Sequence, residues 1–293
     1  MTSAGTDTTI TLPGGRTLAY REFGDPDGAP VVNCHGGLLS GLDVAPFDTA
    51  ARDLGLRIIS PDRPGIGASG SSADRTTADW ADDVSGLLDA LAVERASVFG
   101  WSMGGQYALA CGARLGGPDG RVDRVVVVAG CLPLDDDDTF EHLNAMDRRL
   151  TRLSQHHPHV ARDVFRSLGE VARHRPEAWA HMTTRGAVPE EGKALDALPD
   201  PGIASAAAHA LEHGDGMVEE YVAWARPWGF TPEQVAAPTT IHQGTHDDLV
   251  PHAWADMLAA RIPGARLVSH EGAGHFLTYV DPAAVLQDLR AGG

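Results

Sequence analysis

The stretch that decides the fold is ASVFGWSMGGQYALA, residues 96–110. We interpret it as a strand, a corner that carries Ser102, and a helix. Gly100 and Gly104 stand two residues on either side of the serine. A residue on a sharp strand-to-helix corner has strained backbone dihedrals, so neighbours without a Cβ must let the two backbones approach. The spacing therefore predicts that the Ser102 hydroxyl projects above the edge of a sheet.

This Gly-x-Ser-x-Gly pattern is typical of a nucleophile elbow. The helix that follows the serine directs its unpaired N–H groups to the place where an oxyanion would form. A serine hydroxyl is a poor nucleophile at neutral pH and needs a base that a carboxylate orients. The pattern thus predicts an acid and a histidine on loops after later strands, with the acid first.

Both partners occur in that order. The segment Gly-Thr-His-Asp-Asp-Leu-Val-Pro follows a strand near 239–243 and contains Asp247 and Asp248. His275 follows the last predicted strand, and the glycines at 272 and 274 give its loop freedom to cross the sheet edge. We favour Asp247 as the acid, with Asp248 as the alternative, because Asp248 is the better candidate to cap the next helix.

His35-Gly36-Gly37 follows a short buried strand and precedes Leu38. A loop of this kind supplies a backbone N–H without obstruction by side chains. The amides of Gly37 and Met103 are therefore the predicted oxyanion hole. We expect His35 to be a structural hydrogen-bonding residue and not a second base.

The rest of the chain alternates strands and helices. A hairpin is predicted at 8–12 and 16–23, and single strands at 31–34, 57–60, 125–129 and 265–269. Helices are predicted at 43–54, 79–91, 252–261 and 281–290. Four successive valines at 125–128 are typical of a strand covered on both faces, so the pattern indicates a doubly wound α/β sheet.

The alternation stops at residue 131 and resumes near residue 239. Between them we predict only helices, one of which carries the apolar stripe Val160, Val164, Leu168 and Val171. We therefore divide the chain into a first core part (1–130), a helical cap (131–230) and a second core part (231–293).

Composition limits the function. The net charge of −17 disfavours nucleic acid and anionic membranes as partners, because both require clustered cations. Three scattered cysteines in apolar runs indicate reduced thiols, and the first residues resemble no secretory signal. We expect a cytoplasmic protein, monomeric or homodimeric, whose partner is a small-molecule substrate.

We predict no cofactor and no metal site. Gly65, Gly67 and Gly70 formally match a dinucleotide fingerprint, but that motif should open a helix directly after the first strand. Here Pro61 and Pro64 interrupt the segment, and the next helix begins only near residue 77. The match therefore does not predict a nucleotide.

Together, the elbow, His-Gly-Gly, Asp-Arg-Pro-Gly-x-Gly-x-Ser at 62–69, Gly-x-x-Asp-x-x-Val-Pro at 244–251 and Gly-x-Gly-His at 272–275 resemble the α/β-hydrolase superfamily. The resemblance is to the branch with a helical cap after the sixth strand. It implies a mostly parallel sheet of about eight strands flanked by helices. It also implies Ser102 as nucleophile, His275 as base and then acid, Asp247 as orienting carboxylate, and Gly37 and Met103 as oxyanion donors.

The substrate is predicted to be a small, largely uncharged and hydrophobic ester, thioester or lactone. The expected lining of its pocket is Trp101, Leu38, Met146, Trp224, Trp228 and Phe276. Hydrolysis of a carbon–carbon bond and haloperoxidase-type perhydrolysis are the alternatives on the same triad. Leu38-Leu39 stands where prolyl iminopeptidases usually have Pro-Gly, which disfavours a peptidase. A ligand-binding protein without catalysis is the remaining alternative.

Overall fold

The computed structural model describes residues 7–184 and 187–290. In this part of the chain, one sheet contains eight strands: β1 (Thr8–Thr11), β2 (Thr17–Gly24), β3 (Ala29–Cys34), β4 (Leu56–Pro61), β5 (Ala96–Trp101), β6 (Val122–Val128), β7 (Thr239–Gly244) and β8 (Arg266–His270). The helices are α1 (Asp48–Asp53), α2 (Trp80–Ala90), α3 (Gly104–Arg114), α4 (Asp137–His142), α5 (Ala145–His156), α6 (Pro158–His174), α7 (Pro176–Thr183), α8 (Pro189–Asp196), α9 (Ile203–Ala210), α10 (Asp215–Trp224), α11 (His252–Arg261), α12 (Leu277–Val280) and α13 (Pro282–Leu286).

The strand order is β1-β2-β4-β3-β5-β6-β7-β8. β1 and β2 form the predicted antiparallel hairpin, and β2 also runs antiparallel to β4. β3 to β8 are parallel, so the mostly parallel sheet is confirmed. The carboxyl ends of parallel strands meet at one edge, and the loops after β3, β5, β7 and β8 therefore lie together.

The centre of the sheet is fully buried. All four valines at 125–128 in β6 are fully buried between β5 and β7. Helix α3 packs against both β5 and β6, which covers one face of the sheet. The continuous run of valines in β6 therefore matches the predicted burial on both faces, because neither face of this strand meets water.

Between β6 and β7 the described chain is helical, and we call α4 to α10 the helical insertion. Its helix α6 buries Ala161, Phe165 and Gly169 against neighbouring helices. The buried face of α6 lies one position away from the predicted apolar stripe. Val160 is 54% exposed, and Val164, Leu168 and Val171 lie only at the flank of the buried face. Small residues face inward here because helices α9 and α6 approach closely, and a Cβ at Gly169 would crowd Leu211.

Prolines affect two predicted helices differently. The segment predicted as one helix at 43–54 begins as a 3-10 turn, Gly41–Phe47, which contains Pro46. The closing helix predicted at 281–290 begins at Pro282 as α13 and ends in a 3-10 turn, Gln287–Leu289. A proline lacks the N–H that continues a helix and moves the preceding residue out of the helical region.

The three cysteines, Cys34, Cys111 and Cys131, are free and buried. Within residues 7–184 and 187–290, no helix combines the length and apolar character that a bilayer span requires.

Candidate active site

Ser102 stands on the predicted corner between β5 and α3. Its backbone has φ of +55°, which is rare for a residue with a side chain, and its amide donates to the Val128 carbonyl oxygen of β6 (2.8 Å). A Cβ at Gly100 would lie 2.5 Å from the carbonyl oxygen of Gly104, and a Cβ at Gly104 would overlap the backbone of Cys34. Both glycines are therefore required by the close approach that holds the strained serine in place.

A chain of hydrogen bonds leads from this serine into the sheet edge. The Ser102 Oγ lies 3.0 Å from His275 Nε2, and His275 Nδ1 lies 2.9 Å from Asp247 Oδ2. His275 and Asp247 are buried, at 4% and 8% exposure, whereas Ser102 remains partly accessible. The structure thus brings these three sequence-predicted residues together at hydrogen-bond distance.

Asp247, and not Asp248, contacts the histidine. Its Oδ1 accepts from the amides of Leu249 and Val250, both at 2.9 Å, and its Oδ2 also accepts from Gln243 Nε2 at 3.0 Å. Asp248 is exposed, and neither aspartate caps α11, whose N-cap residue is Pro251. The four donors around Asp247 fix the direction of each carboxylate oxygen.

The electrostatics fit this arrangement. Burial alone lowers the pKa of His275, but the Asp247 carboxylate, with further contributions from Glu191 and Asp147, raises it above the ordinary 6.5. Burial raises the pKa of Asp247, but His275 and the two amides outweigh it, so that this pKa is lowered. An ionised aspartate therefore faces an imidazole that is a stronger base than a free histidine.

Trp101 fixes the histidine loop from the side of β5. Its indole Nε1 donates to the His275 carbonyl oxygen at 3.0 Å, and its ring packs against the imidazole with centroids 5.3 Å apart. The residue beside the serine therefore both lines the site and holds the backbone of His275.

The loop at the end of β3 is anchored by an arginine. Arg63 Nη1 donates to the His35 carbonyl oxygen (2.5 Å), and the Arg63 amide donates to His35 Nε2 (3.1 Å). The Gly36 amide donates to Asp43 Oδ2 at 2.9 Å, and a Cβ at Gly37 would lie 3.2 Å from Met103 Cε. His35 thus has the structural role that its neighbours suggested, and Gly37 and Met103 lie side by side next to Ser102.

A cavity of about 80 Å³ opens at Ser102. Among the predicted pocket residues, five line it: Leu38, Trp101, Met146, Trp224 and Phe276. Gly37, Met103 and His275 also border the cavity, which lies between the sheet edge and the helical insertion. Met146 is 38% exposed, which is consistent with a place at the mouth.

Trp228 does not reach this cavity. It stacks on Phe230, with ring centroids 5.3 Å apart, beside a separate cavity that Leu132 and Met257 also line. Its position after the last helix of the insertion places it outside the wall that faces Ser102. Helical amphipathicity could not reveal this, because the residue lies in an irregular segment.

Sequence reasoning missed the polar part of the cavity wall. Asp147, at the start of α5, accepts from Tyr221 Oη (2.7 Å) and from Asn144 Nδ2 (2.7 Å), and all three line the cavity. Burial raises the pKa of Asp147. The only local signal was an acid three residues after an Asn, which indicates a helix N-terminus and gives no hint of a site.

A family model described as alpha/beta hydrolase fold matches residues 29–282, and the chain belongs to this family. It is a hydrolase of the α/β class, as the sequence motifs implied.

Two relatives match over nearly the full length. The 3-hydroxybutyrate-oligomer hydrolase of Cupriavidus necator is 27% identical and aligns with 94% of this chain and 92% of its own. A non-heme chloroperoxidase of Streptomyces lividans is 28% identical over 97% of this chain and 98% of its own. Among solved structures, the enol-lactonase of Burkholderia xenovorans superposes with a TM-score of 0.67 at 21% identity, covering 96% of this chain and 97% of that one. That likeness shows a shared fold.

Proposed function

We propose that this protein is a serine hydrolase that cleaves a carboxylic ester, thioester or lactone through an acyl-Ser102 intermediate. The observation that carries the proposal is the hydrogen-bonded chain from Asp247 through His275 to Ser102, with the serine on a strained corner. This arrangement activates a hydroxyl that is otherwise a poor nucleophile at neutral pH.

In the first half of the reaction, His275 Nε2 takes the proton of Ser102 as Oγ attacks the carbonyl carbon. The amides of Gly37 and Met103 donate to the carbonyl oxygen as it becomes negative, and each such donor is worth about 10²–10³ in rate in enzymes of this type. His275 then gives the proton to the leaving oxygen or sulfur atom. The products of this half are the free alcohol or thiol and the acylated serine.

In the second half, His275 takes a proton from water while the water oxygen attacks the acyl carbon. The tetrahedral intermediate collapses, and the same proton returns to Ser102 Oγ as the acid is released. Asp247 accepts the Nδ1–H of the imidazole throughout, so that Nε2 remains free to accept a proton.

The size and lining of the cavity favour a substrate with a small and uncharged acyl group. Its volume of about 80 Å³ lies well below the range of roughly 300–1,000 Å³ for pockets of drug-sized ligands. Trp101 and Phe276 contribute an apolar wall, and Asp147 places a second carboxylate near His275. That charge disfavours substrates with a carboxylate at the acyl end, while its oxygens can accept from a hydroxyl group.

We also propose that the segment 131–230 acts as a cap that limits the substrate. Helices α5, α7 and α10 of the insertion supply Met146, Trp179 and Trp224 to the cavity wall. Three buried free thiols support the proposal that the protein works in the reducing cytoplasm.

Perhydrolysis is a second candidate, and the similarity to the Streptomyces lividans chloroperoxidase favours it. In that reaction hydrogen peroxide replaces water as the attacking group on the acyl-serine and releases a peracid. The two activities share the first half-reaction, so they differ only in which nucleophile attacks the acyl-serine.

The test is labelling with a fluorophosphonate probe, followed by turnover of p-nitrophenyl esters of increasing acyl length. We expect labelling of the wild type and its loss in Ser102→Ala and in His275→Ala. The matched control is Ser167→Ala, an exposed serine on α6 that should label like the wild type. Well-folded wild-type protein that neither labels nor hydrolyses any ester would refute the proposal. Release of peracetic acid from p-nitrophenyl acetate and hydrogen peroxide, at a rate above the release of acetate, would favour perhydrolysis.

A further inference from the structure

Glu191 is the buried residue of a helix, α8, whose other residues are exposed or partly exposed. It lies in α8 of the helical insertion and is only 1% exposed, whereas its neighbour Glu190 is exposed. A buried carboxylate is costly unless donors satisfy it. The donors of Glu191 therefore show why it is buried.

Two of these donors belong to the loop that carries His275. Glu191 Oε1 accepts from the amide of Gly274 at 2.8 Å and from the amide of Phe276 at 3.1 Å. Its other oxygen, Oε2, accepts from the Val188 amide at the start of α8, at 3.2 Å. One carboxylate oxygen thus holds the backbone immediately before and immediately after the histidine.

The close approach depends on a glycine. A Cβ at Gly274 would lie 2.5 Å from Glu191 Oε2, so any side chain there would displace the carboxylate. On the opposite side of the loop, the Trp101 indole holds the carbonyl oxygen of His275. The peptide groups around the imidazole are therefore fixed from the insertion and from β5 together.

We propose that Glu191 is a positioning residue for His275, and that through it the helical insertion fixes the place of the catalytic imidazole and puts a carboxylate beside its loop. The inference rests on the proposed function, since it concerns the base of that reaction. Glu191 does not border the Ser102 cavity among the described residues, so it acts through the loop and not on the substrate.

The charge of Glu191 contributes to the basicity of His275. The groups that act on the imidazole are Asp247, Glu191 and Asp147, and all three oppose the effect of burial on its pKa. On the far side of Glu191, a separate cavity is bordered by Glu190, His270, Glu271 and Asp281. Burial raises the pKa of Glu191 itself, while the amides of Val188, Gly274 and Phe276 and the nearby His275 favour its ionised form.

Two variants separate position from charge. Glu191→Ala removes both hydrogen bonds to the loop, and we expect kcat to fall about 10- to 100-fold with KM within about threefold. Glu191→Gln keeps a carbonyl oxygen for the Gly274 and Phe276 amides but loses the charge. It should recover most of the lost kcat, while the acidic limb of kcat/KM moves to lower pH by about half a unit or more.

The pKa of His275 is also read directly by NMR titration of protein labelled with ¹⁵N-histidine, which needs no turnover. We expect a lower pKa in Glu191→Gln and no change in Glu190→Gln, the matched loss of an exposed charge. An unshifted His275 pKa in Glu191→Gln overturns the inference, as does wild-type kcat in folded Glu191→Ala. If Glu191→Ala does not fold, the titration of Glu191→Gln decides. Wild type in which the His275 pKa responds to Glu191→Gln as expected but which hydrolyses nothing refutes the proposed function; the catalytic part of this inference then fails with it, and only the effect of Glu191 on His275 stands.

Discussion

Replacing Asp247 by Asn tests the central claim about the imidazole. In the native protein Oδ1 accepts from the amides of Leu249 and Val250, and Oδ2 accepts from Gln243 and from His275. An asparagine has one oxygen and one NH₂ group. The asparagine oxygen will remain the acceptor for the two rigid backbone amides, because an NH₂ group in that place would set donors against donors.

The NH₂ group of the substituted side chain in Asp247→Asn then faces His275 Nδ1. It donates to Nδ1, so the ring proton moves to Nε2, and Nε2 can no longer accept the proton of Ser102. In the Ser-His-Asp template this exchange of tautomer costs about 10⁴ in kcat, which corresponds to about 5.5 kcal/mol of transition-state stabilisation. We expect a loss of that order here, with KM changed little.

The assay is the rate of acylation by a p-nitrophenyl ester and by a fluorophosphonate, with thermal unfolding as a check on the fold. The matched control is Asp248→Asn, an adjacent and exposed carboxylate that should retain activity within about twofold. Retention of more than a tenth of the wild-type rate in folded Asp247→Asn would show that the acid does not set the tautomer. A large loss in Asp248→Asn would assign the role to the neighbour.

Three further outcomes follow from the structure. Because the pKa of His275 is raised above 6.5 and only the neutral ring accepts a proton, kcat/KM should fall with decreasing pH through an apparent pKa above 6.5, and a limb well below it would contradict the assignment of the base. Ile203 borders both the Ser102 cavity and a second cavity of about 720 Å³, so Ile203→Ala should shift the optimum of an ester series to longer acyl chains, and an unchanged optimum would show that the two cavities stay separate. Glu220 is buried between Arg63 (2.7 Å) and Arg75 (2.6 Å), so Glu220→Gln should destabilise the fold by about 3–5 kcal/mol in urea unfolding. Burial raises the pKa of Glu220, but the two arginines outweigh this effect and lower the pKa below the usual 4.5. The stability that this group contributes should therefore be full at pH 7 and lost as pH falls from 4.5 through the lowered pKa.

The sheet and the three residues on its edge were accessible to sequence reasoning because each depends on local rules. The glycines around Ser102 follow from backbone overlap at the corner, and the valines at 125–128 follow from burial on both faces. The meeting of the acid and the histidine at Ser102 follows from parallel topology, since the loops after β5, β7 and β8 share one edge. The choice between Asp247 and Asp248 needed the structure, because it depends on which carboxylate faces inward.

The helical insertion was harder to predict because several helix faces compete for burial there. The stripe of Val160, Val164, Leu168 and Val171 on α6 looked like the core face, yet the buried residues of this helix are Ala161, Phe165, Gly169 and Ala172. Where two helices pack closely, small residues such as glycine and alanine face the contact, and a search for periodic large apolar residues does not identify them. Trp228 was misplaced for a related reason, since size and apolarity identify a buried residue but not the cavity that it borders.

The two acids that sequence reasoning missed share one physical explanation. Asp147 and Glu191 each stand three residues after the N-cap of their helix, and each satisfies a donor there, the Asn144 side chain and the Val188 amide. An acid at that position is expected for capping alone, so the local pattern needs no further role. A carboxylate has two oxygens, however, and the second one reaches Tyr221 in the cavity wall or the loop around His275. The capping contact of one oxygen also fixes the direction of the other. A buried acid near the N-terminus of a helix in the insertion is therefore well oriented to contact the residues of a site.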